Sequence, residues 1–579
     1  MRAMATDPLR AVRGGFREGY LTHDAIGAQL AAWERAFPGI VRVTSIGKTP
    51  EGRDLWVIVI GADPDRARPA VWIDGNMHAT ELAGSSVALS IAEDAIAIHA
   101  GLPTEADVPR ALLDRLRDVV FHVMPRVSPD GAEAVLTTGR YVRSVPRDTR
   151  AWKRHPRWIA EDVDGDGLAL AMRVRDPAGD YVDHPEVPGL LVPRELTDEG
   201  PFYRLYPEGR IEHFDGTIVP SPIYLCDNYP DLNRNFPADW KAEHEQVGAG
   251  DYATSEPEAR AIVEYAHRHP NLYAWLNLHT YGGCFIRPAG ELPDVKMNQE
   301  DLAVFRAIGE WCEALTGYPM VSGFEEFTYE PDKPLRGDLS EWSYRDRGCI
   351  GYVCELWDLF AQLGIARPKR FVDYYERLGR DDLKKLHELD RKENDGRIFV
   401  PWRSFKHPQL GDVEIGGVDG RIGISNPPLA KLPEVCRAQT AAWMRTSALL
   451  PRVRVEDARV TKLEGDLARV DVTIVNDGYL GTAGLPSAEK LAWNEPLWAE
   501  ASPGTGLALV TPSEARQSLG HLGGWGRGKD TGTASIWFAK SPGTPHRRAA
   551  RFLVRGAGTL DVRVGSCRTG EISLRVAVR

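Results

Sequence analysis

The feature that most constrains this chain is a set of short, almost wholly apolar runs separated by stretches of helical periodicity. AVWID (70–74), VVFHVM (119–124), YAWLNLH (273–279) and IGYVCE (350–355) have the length of strands. Near-continuous apolar character at that length marks strands buried on both faces. Residues 82–98, 256–267 and 300–315 carry apolar positions at helical spacing. Strands and helices in alternation predict an α/β sheet covered on both faces. Residues 41–61 add two β-rich runs with Gly and Pro between them, which predicts a hairpin.

Two regions depart from this texture. Residues 140–230 are rich in Pro, Arg and Asp and weakly periodic, and read as a long excursion from the sheet. From about residue 450 onward, short alternating segments such as LARVDVTIVNDG, AARFLVRG and ISLRVAVR are broken by turn signals. That pattern predicts an all-β sandwich. The expected division is therefore an α/β domain over 20–400, a connecting region over 401–449 and a sandwich over 450–579. A chain of 579 residues is long enough for two or three such units.

Composition narrows the function class. The formal net charge of −11 argues against a general nucleic-acid binder, which would carry a basic face. Seven cysteines are scattered without a paired spacing, which fits a reducing compartment. The basic N-terminal stretch lacks the apolar core of a secretory signal, and no run of 18 apolar residues occurs. The expectation is a cytoplasmic protein with no membrane partner.

Four features carry chemistry. His78-Ala79-Thr80-Glu81 lies directly after the run 70–74 and directly before a helix. A catalytic zinc needs three N or O ligands and one open position, and His-x-x-Glu supplies two ligands from one strand-to-helix turn. Ligands of open α/β sheets bind beyond the carboxyl ends of strands, which is where this pair falls. His279 closes its own apolar run and is the candidate third ligand, although a histidine there can equally be a satisfied core residue. Glu355 finishes the run 350–355; a carboxylate in that place is costly unless it is paired, bound to metal or used. It reads either as a salt-bridge partner or as the base that takes a proton from activated water. The fourth feature is Asp231-Leu232-Asn233-Arg234-Asn235-Phe236. Its guanidinium and amide match a carboxylate, while the plain alternative is a capped turn.

Together these stretches resemble the zinc metallocarboxypeptidases related to carboxypeptidases A and B. The likeness runs over roughly 20–400, through GNMHATE, PRVSPDG, DLNRNF, SEPEARA, LHTYGG, GDLSEWSYRDRG and CELWD in that order. It implies a mixed central sheet, one zinc per chain on His78, Glu81 and His279, and Glu355 as general base. It implies that Asn233 and Arg234 hold the terminal carboxylate of a peptide or peptide-like substrate. It also implies an arginine that stabilises the oxyanion, a mobile tyrosine, and a specificity residue two before a tryptophan. The arginine candidates are Arg154, Arg157, Arg173 and Arg175, with Arg173 favoured because ALAMRVRD is the most strand-like piece there. The tyrosine is assigned to Tyr329, the nearest one upstream of Gly337, and the specificity residue to Ser340.

The chain departs from the family pattern in places. Residues Gly131 to Asp231 form an unusually long gap, and Thr80 stands where many relatives carry arginine. Asp162-Val163-Asp164-Gly165-Asp166-Gly167 begins like a calcium loop, but its twelfth position is Arg173 rather than glutamate, which favours an acidic turn. The rival functions are a related zinc amidohydrolase acting on cell-wall peptides or acylated amino acids, and a binding protein that has lost catalysis.

Overall fold

The computed structural model describes residues 8–148, 155–222, 230–376, 378–529 and 540–579. Its centre is an eight-stranded sheet in the spatial order Val41–Lys48, Asp54–Ile60, Val120–Met124, Ala70–Gly75, Leu272–Thr280, Ile350–Leu356, Cys284–Arg287 and Met320–Ser322. The four middle strands are mutually parallel, the 41–60 hairpin runs antiparallel to its neighbours, and strand 284–287 is antiparallel to 350–356 and parallel to 320–322. The sheet is therefore mixed, and the carboxyl ends of its central strands share one edge.

Burial explains the run lengths. Strands 70–75, 120–124 and 272–280 are buried at every position, so both faces must be covered. On one face, helix Ala83–Ala100 is buried from Ala83 to Ile98, as expected of a helix that is apolar all round. Gly84 allows its close approach: a Cβ there would meet the Leu278 carbonyl oxygen at 3.0 Å and the Asn76 nitrogen at 2.9 Å. On the other face, helix Pro257–Arg268 covers a core containing Trp72, Trp275, Trp342 and Tyr265.

The excursion forms β-structure of its own. Strands Ala171–Arg175, Phe202–Pro207, Tyr181–Asp183 and Leu191–Pro193 join Phe399–His407 and Gly411–Val418 in a six-stranded sheet. The stretch expected to connect two domains thus supplies two strands to this sheet, with Ile415 paired to Met172. After it, helix Leu432–Ser447 returns to the same core as helix 83–100.

The last part of the chain holds two four-stranded antiparallel sheets. Alternate residues of strand Leu467–Asn476 (Val470, Val472, Ile474) meet Ala499, Val562 and Val564 from the facing sheet in one apolar core, the arrangement of a β-sandwich. It docks at the amino ends of the central strands. Arg568, on the turn between the last two strands, donates to the carbonyls of Ala483 (2.6 Å) and Leu272 (2.5 Å). Arg452 pairs with Asp118, just before strand 120–124, at 2.9 Å. No described helix is long and apolar enough to cross a membrane.

Candidate active site

At the opposite edge, the chain leaves strand 70–75 through Asn76, whose φ of +59° starts a tight turn. The Asn76 amide donates to the carbonyls of His78 (2.9 Å) and Ala79 (3.0 Å), which curls the turn around its own side chain. From outside, Asn426 accepts from Ala83 N and donates to the Thr80 carbonyl, both at 2.8 Å. This turn aims His78 and Glu81 inward, and His279 meets them from the end of the neighbouring strand.

The three side chains are buried, at 4%, 7% and 1% exposure for His78, Glu81 and His279. His78 Nδ1 lies 2.8 Å from Glu81 Oε1, His279 Nδ1 lies 3.0 Å from Glu81 Oε2, and the two Nδ1 atoms are 3.0 Å apart. The far nitrogens face acceptors: His279 Nε2 is 2.5 Å from Asn277 Oδ1, and His78 Nε2 is 3.3 Å from Asp231 Oδ1. The acceptor on His279 Nε2 favours the tautomer that leaves its Nδ1 lone pair facing Glu81 and His78, while His78 Nε2 makes no hydrogen bond among the described residues. Two ring nitrogens and a carboxylate lie together here, and this donor set fits a zinc ion, with outer partners of the kind that orient metal-bound imidazoles. Asn277 passes the support on, since its amide donates to Asp74. Asp74 also accepts from Trp72 Nε1 (2.7 Å) and Trp275 Nε1 (2.8 Å). Burial pushes the Asp74 carboxyl up to about 7 against the pull of those three bonds.

Glu355 is the residue paired with His279 across the parallel strands. It keeps some exposure and makes no side-chain hydrogen bond among the described residues. Burial raises its carboxyl well above the usual range, the Glu81 charge adds to this, and Arg143 opposes it.

The arginine beside the cluster is Arg143, not Arg173. Arg143 Nε donates to Asp231 Oδ2 at 3.2 Å and Nη1 lies 3.8 Å from Glu81 Oε1. Its carbonyl accepts from Ala79 N at 2.8 Å, which ties it to the histidine turn. Burial works against its charge, but Asp231, Tyr141 and Glu81 outweigh burial and hold it protonated. In the same way burial would raise Asp231, and Arg143, Arg234 and His78 together keep it well below the usual carboxylate range. Arg173 belongs to the six-stranded sheet. Its guanidinium bonds Glu414 (2.9 Å) and Asp183 (2.7 Å) and stacks over Tyr203 and Trp402. Strand character, the reason for preferring it, belongs to a structural arginine here. Arg154 lies outside the described residues.

Asn233 and Arg234 sit on a short 3₁₀ turn opened by Asp231, whose carboxylate accepts from Asn233 N at 2.9 Å. Asn233 Oδ1 accepts from Leu339 N at 3.0 Å, so its Nδ2 is the donor left over. The Arg234 fork makes one bond among the described residues, Nη1 to the Asn233 carbonyl at 2.6 Å. Ser340 stands beside this turn on helix Leu339–Arg345, with its hydroxyl given to Asp338 Oδ1 at 2.6 Å. Tyr329 is 55% exposed. Desolvation of its phenol and the Glu355 charge raise its pKa, while Arg143 and Arg234 pull it the other way, so the ring lies in the field of this same group.

The carboxylates of Asp162, Asp164 and Asp166 lie within 4.8 Å of one another. Within the loop Asp162 accepts from Gly165 N and Gly167 N, Asp164 from Asp166 N, and Asp166 from Leu168 N, and Asp166 also pairs with Arg403 at 2.6 Å.

Arg143, Asp231, Asn277 and Asn426 escape sequence reasoning as site residues. For Arg143 the available signal is its place 12 residues after Gly131 of the PDG motif, at the start of the 140–230 excursion.

The profile of the zinc carboxypeptidase family matches residues 26–184 and 195–372, and that of a domain of unknown function matches 452–577. Mouse carboxypeptidase A6 is 31% identical over 134 residues, covering 23% of this chain and 29% of that protein. Mouse carboxypeptidase A4 is 21% identical over 353 residues, covering 60% and 64%. The chain therefore spans less than two thirds of either relative. Among solved structures, that of thrombin activatable fibrinolysis inhibitor aligns with a TM-score of 0.41 and 17% identity over 66% of this chain and 76% of that one. With more than half of its residues under the family profile, and with the histidine turn, the strand-end histidine and the Asn-Arg turn all inside the matched spans, this chain belongs to the zinc carboxypeptidase family.

Proposed function

We propose that this chain hydrolyses the C-terminal peptide bond of a peptide or peptide-like substrate, with one zinc per chain held by His78, Glu81 and His279. The observation that carries the reading is the convergence of two Nδ1 atoms and a carboxylate, with Glu355 paired to His279 and an Arg234 guanidinium that bonds only the Asn233 carbonyl among the described residues.

A zinc ion at this place supplies Lewis acidity, bringing the pKa of a bound water toward neutrality. Glu355 acts as the base, accepting a proton from the attacking water and delivering it to the leaving nitrogen. Its unpaired, partly open carboxylate supports that role. Arg143 stabilises the negative charge that develops on the scissile carbonyl oxygen, the function for which Arg173 is too firmly engaged elsewhere. Asn233 Nδ2 and the Arg234 fork receive the substrate's terminal carboxylate, and Ser340 stands by the leaving side chain. Tyr329 covers the carboxylate side. The sandwich from about 452 onward serves the catalytic unit as a folding partner, anchored at the strand ends away from the chemistry.

The test is a peptide set with free and amidated C-termini, assayed before and after chelation. Chelator-sensitive release of a single terminal residue from the free forms supports the reading. Equal cleavage of both forms turns it into a broader zinc amidohydrolase, and chelator-insensitive cleavage removes the metal from the mechanism.

A further inference from the structure

A cavity of about 900 Å³ opens beside the candidate centre. Its near end is formed by Thr80, between two proposed ligands, by Tyr141, and by Tyr281, two residues past His279. Its far wall is built by the added sheet and the segments that return from it, with Leu191, Leu205 and Phe399 facing in. The long excursion thus helps to wall a chamber that adjoins the candidate centre.

The chemistry of the wall is specific. The lining is mostly aliphatic and aromatic, and several of its cations are already neutralised. Arg147 is bonded to Glu256 (2.7 Å) and Glu258 (2.9 Å), Arg157 to Glu212 (2.7 Å) and Asp148, and Arg421 to Asp419 (2.7 Å). Apolar walls with few polar groups, at a volume of several hundred cubic ångströms, are the usual composition of a small-molecule site. Neither Asn233, Arg234 nor Ser340 lines the chamber. His78, Glu81, His279, Glu355 and Arg143 do not line it either, so the chamber adjoins the centre through Thr80, Tyr141 and Tyr281, apart from the Asn233–Arg234 turn.

We propose that this chamber receives a large apolar group on the amino side of the scissile bond, so that the preferred substrates carry a long acyl chain or bulky apolar side chains upstream of the residue released. This rests on the carboxypeptidase reading above and adds to it the substrate class. The added sheet is then a specificity element, which accounts for apolar residues of a solvent-side insertion facing a shared cavity.

The experiment compares kcat/KM for N-acetyl-, N-butanoyl- and N-octanoyl-Gly-Phe, and for a tetrapeptide with two upstream leucines. Each added methylene that enters the chamber should raise kcat/KM roughly threefold, from the transfer free energy of a buried CH₂. Octanoyl carries six more methylenes than acetyl, so entry of at least three of them raises the ratio to about 30-fold or more. A larger gain for the octanoyl substrate than for the leucine peptide assigns an acyl-chain ligand, and the reverse assigns a peptide. Leu205→Glu and Leu191→Glu, on the far wall, should each erase the gain while leaving hydrolysis of the N-acetyl substrate unchanged, which also reports that the variant is folded. A flat response along the acyl series with normal N-acetyl turnover overturns the chamber proposal and leaves the carboxypeptidase reading standing. If no substrate turns over, titration with N-octanoyl-glycine against N-acetyl-glycine decides it: tighter binding of the octanoyl form, lost in Leu205→Glu, supports the chamber, and equal binding overturns it.

Discussion

His279 and Glu355 are paired positions on adjacent parallel strands, 272–280 and 350–356. Paired residues of neighbouring strands project to the same face of a sheet, so the register alone puts the proposed base beside a proposed ligand. Glu355→Gln keeps the shape and removes the proton acceptor. Zinc content should persist while kcat falls roughly 10²–10⁴-fold, the scale for losing general acid–base catalysis. Turnover near wild type would assign the proton transfer to another group.

The metal should be one zinc per chain and should stabilise the fold. His78→Ala and His279→Ala should each lose it, measured as metal content after gel filtration. Adding zinc at about 100 times its Kd to chelated wild-type protein should add about 2.7 kcal/mol to folding stability and raise Tm. Neither histidine variant should respond. A zinc-induced shift retained in both would place the metal elsewhere.

Arg143 and Arg173 should separate cleanly. Arg143→Ala should lower kcat roughly 10²–10³-fold, as for loss of an oxyanion donor. Arg173→Ala removes charged bonds to Glu414 and Asp183 and should cost about 1–3 kcal/mol of stability, with kcat on short substrates kept. Catalytic loss in the second with none in the first would return the oxyanion role to Arg173.

Arg234→Ala should cost about 2–5 kcal/mol in kcat/KM on peptides with a free C-terminus, because the substrate carboxylate is left without its partner. On the amidated form of the same peptide the change should be small. The four rates make a double cycle that isolates the contact. Equal losses on both forms would show that Arg234 does not read the carboxylate.

Arg568→Met tests the anchoring of the C-terminal sandwich. The guanidinium stacks 4.2 Å from the Tyr273 ring centre and satisfies two carbonyls. Its loss should cost about 1–3 kcal/mol per unsatisfied group and lower Tm, with the kcat of the folded fraction unchanged. A fall in kcat without a fall in Tm would give the sandwich a part in the chemistry.

What the sequence by itself determined lies mostly at strand ends. His78, His279 and Glu355 each sit at or just past the end of an apolar run, and such runs announce both a buried strand and the edge where it stops. Asn233 and Arg234 were legible as a motif because a short 3₁₀ turn with an Asp cap is written in six consecutive residues. The β-rich C-terminal region was legible for a similar reason, since period-two alternation is local. The tertiary structure alone decided the rest. Arg143 is one arginine in an arginine-rich stretch, and what selects it is a backbone bond to Ala79, 64 positions earlier, and an ion pair to Asp231, 88 positions later. Residues 401–449 read as a connection because the earlier partner of strand 411–418 is more than 200 residues away, with Ile415 opposite Met172. The apolar chamber has no sequence signature, because its walls come from at least four separate segments. Periodicity and motifs report which face a residue turns to the interior; they do not report which distant interior face it meets, and the placing of Arg143 and the chamber both depend on that pairing.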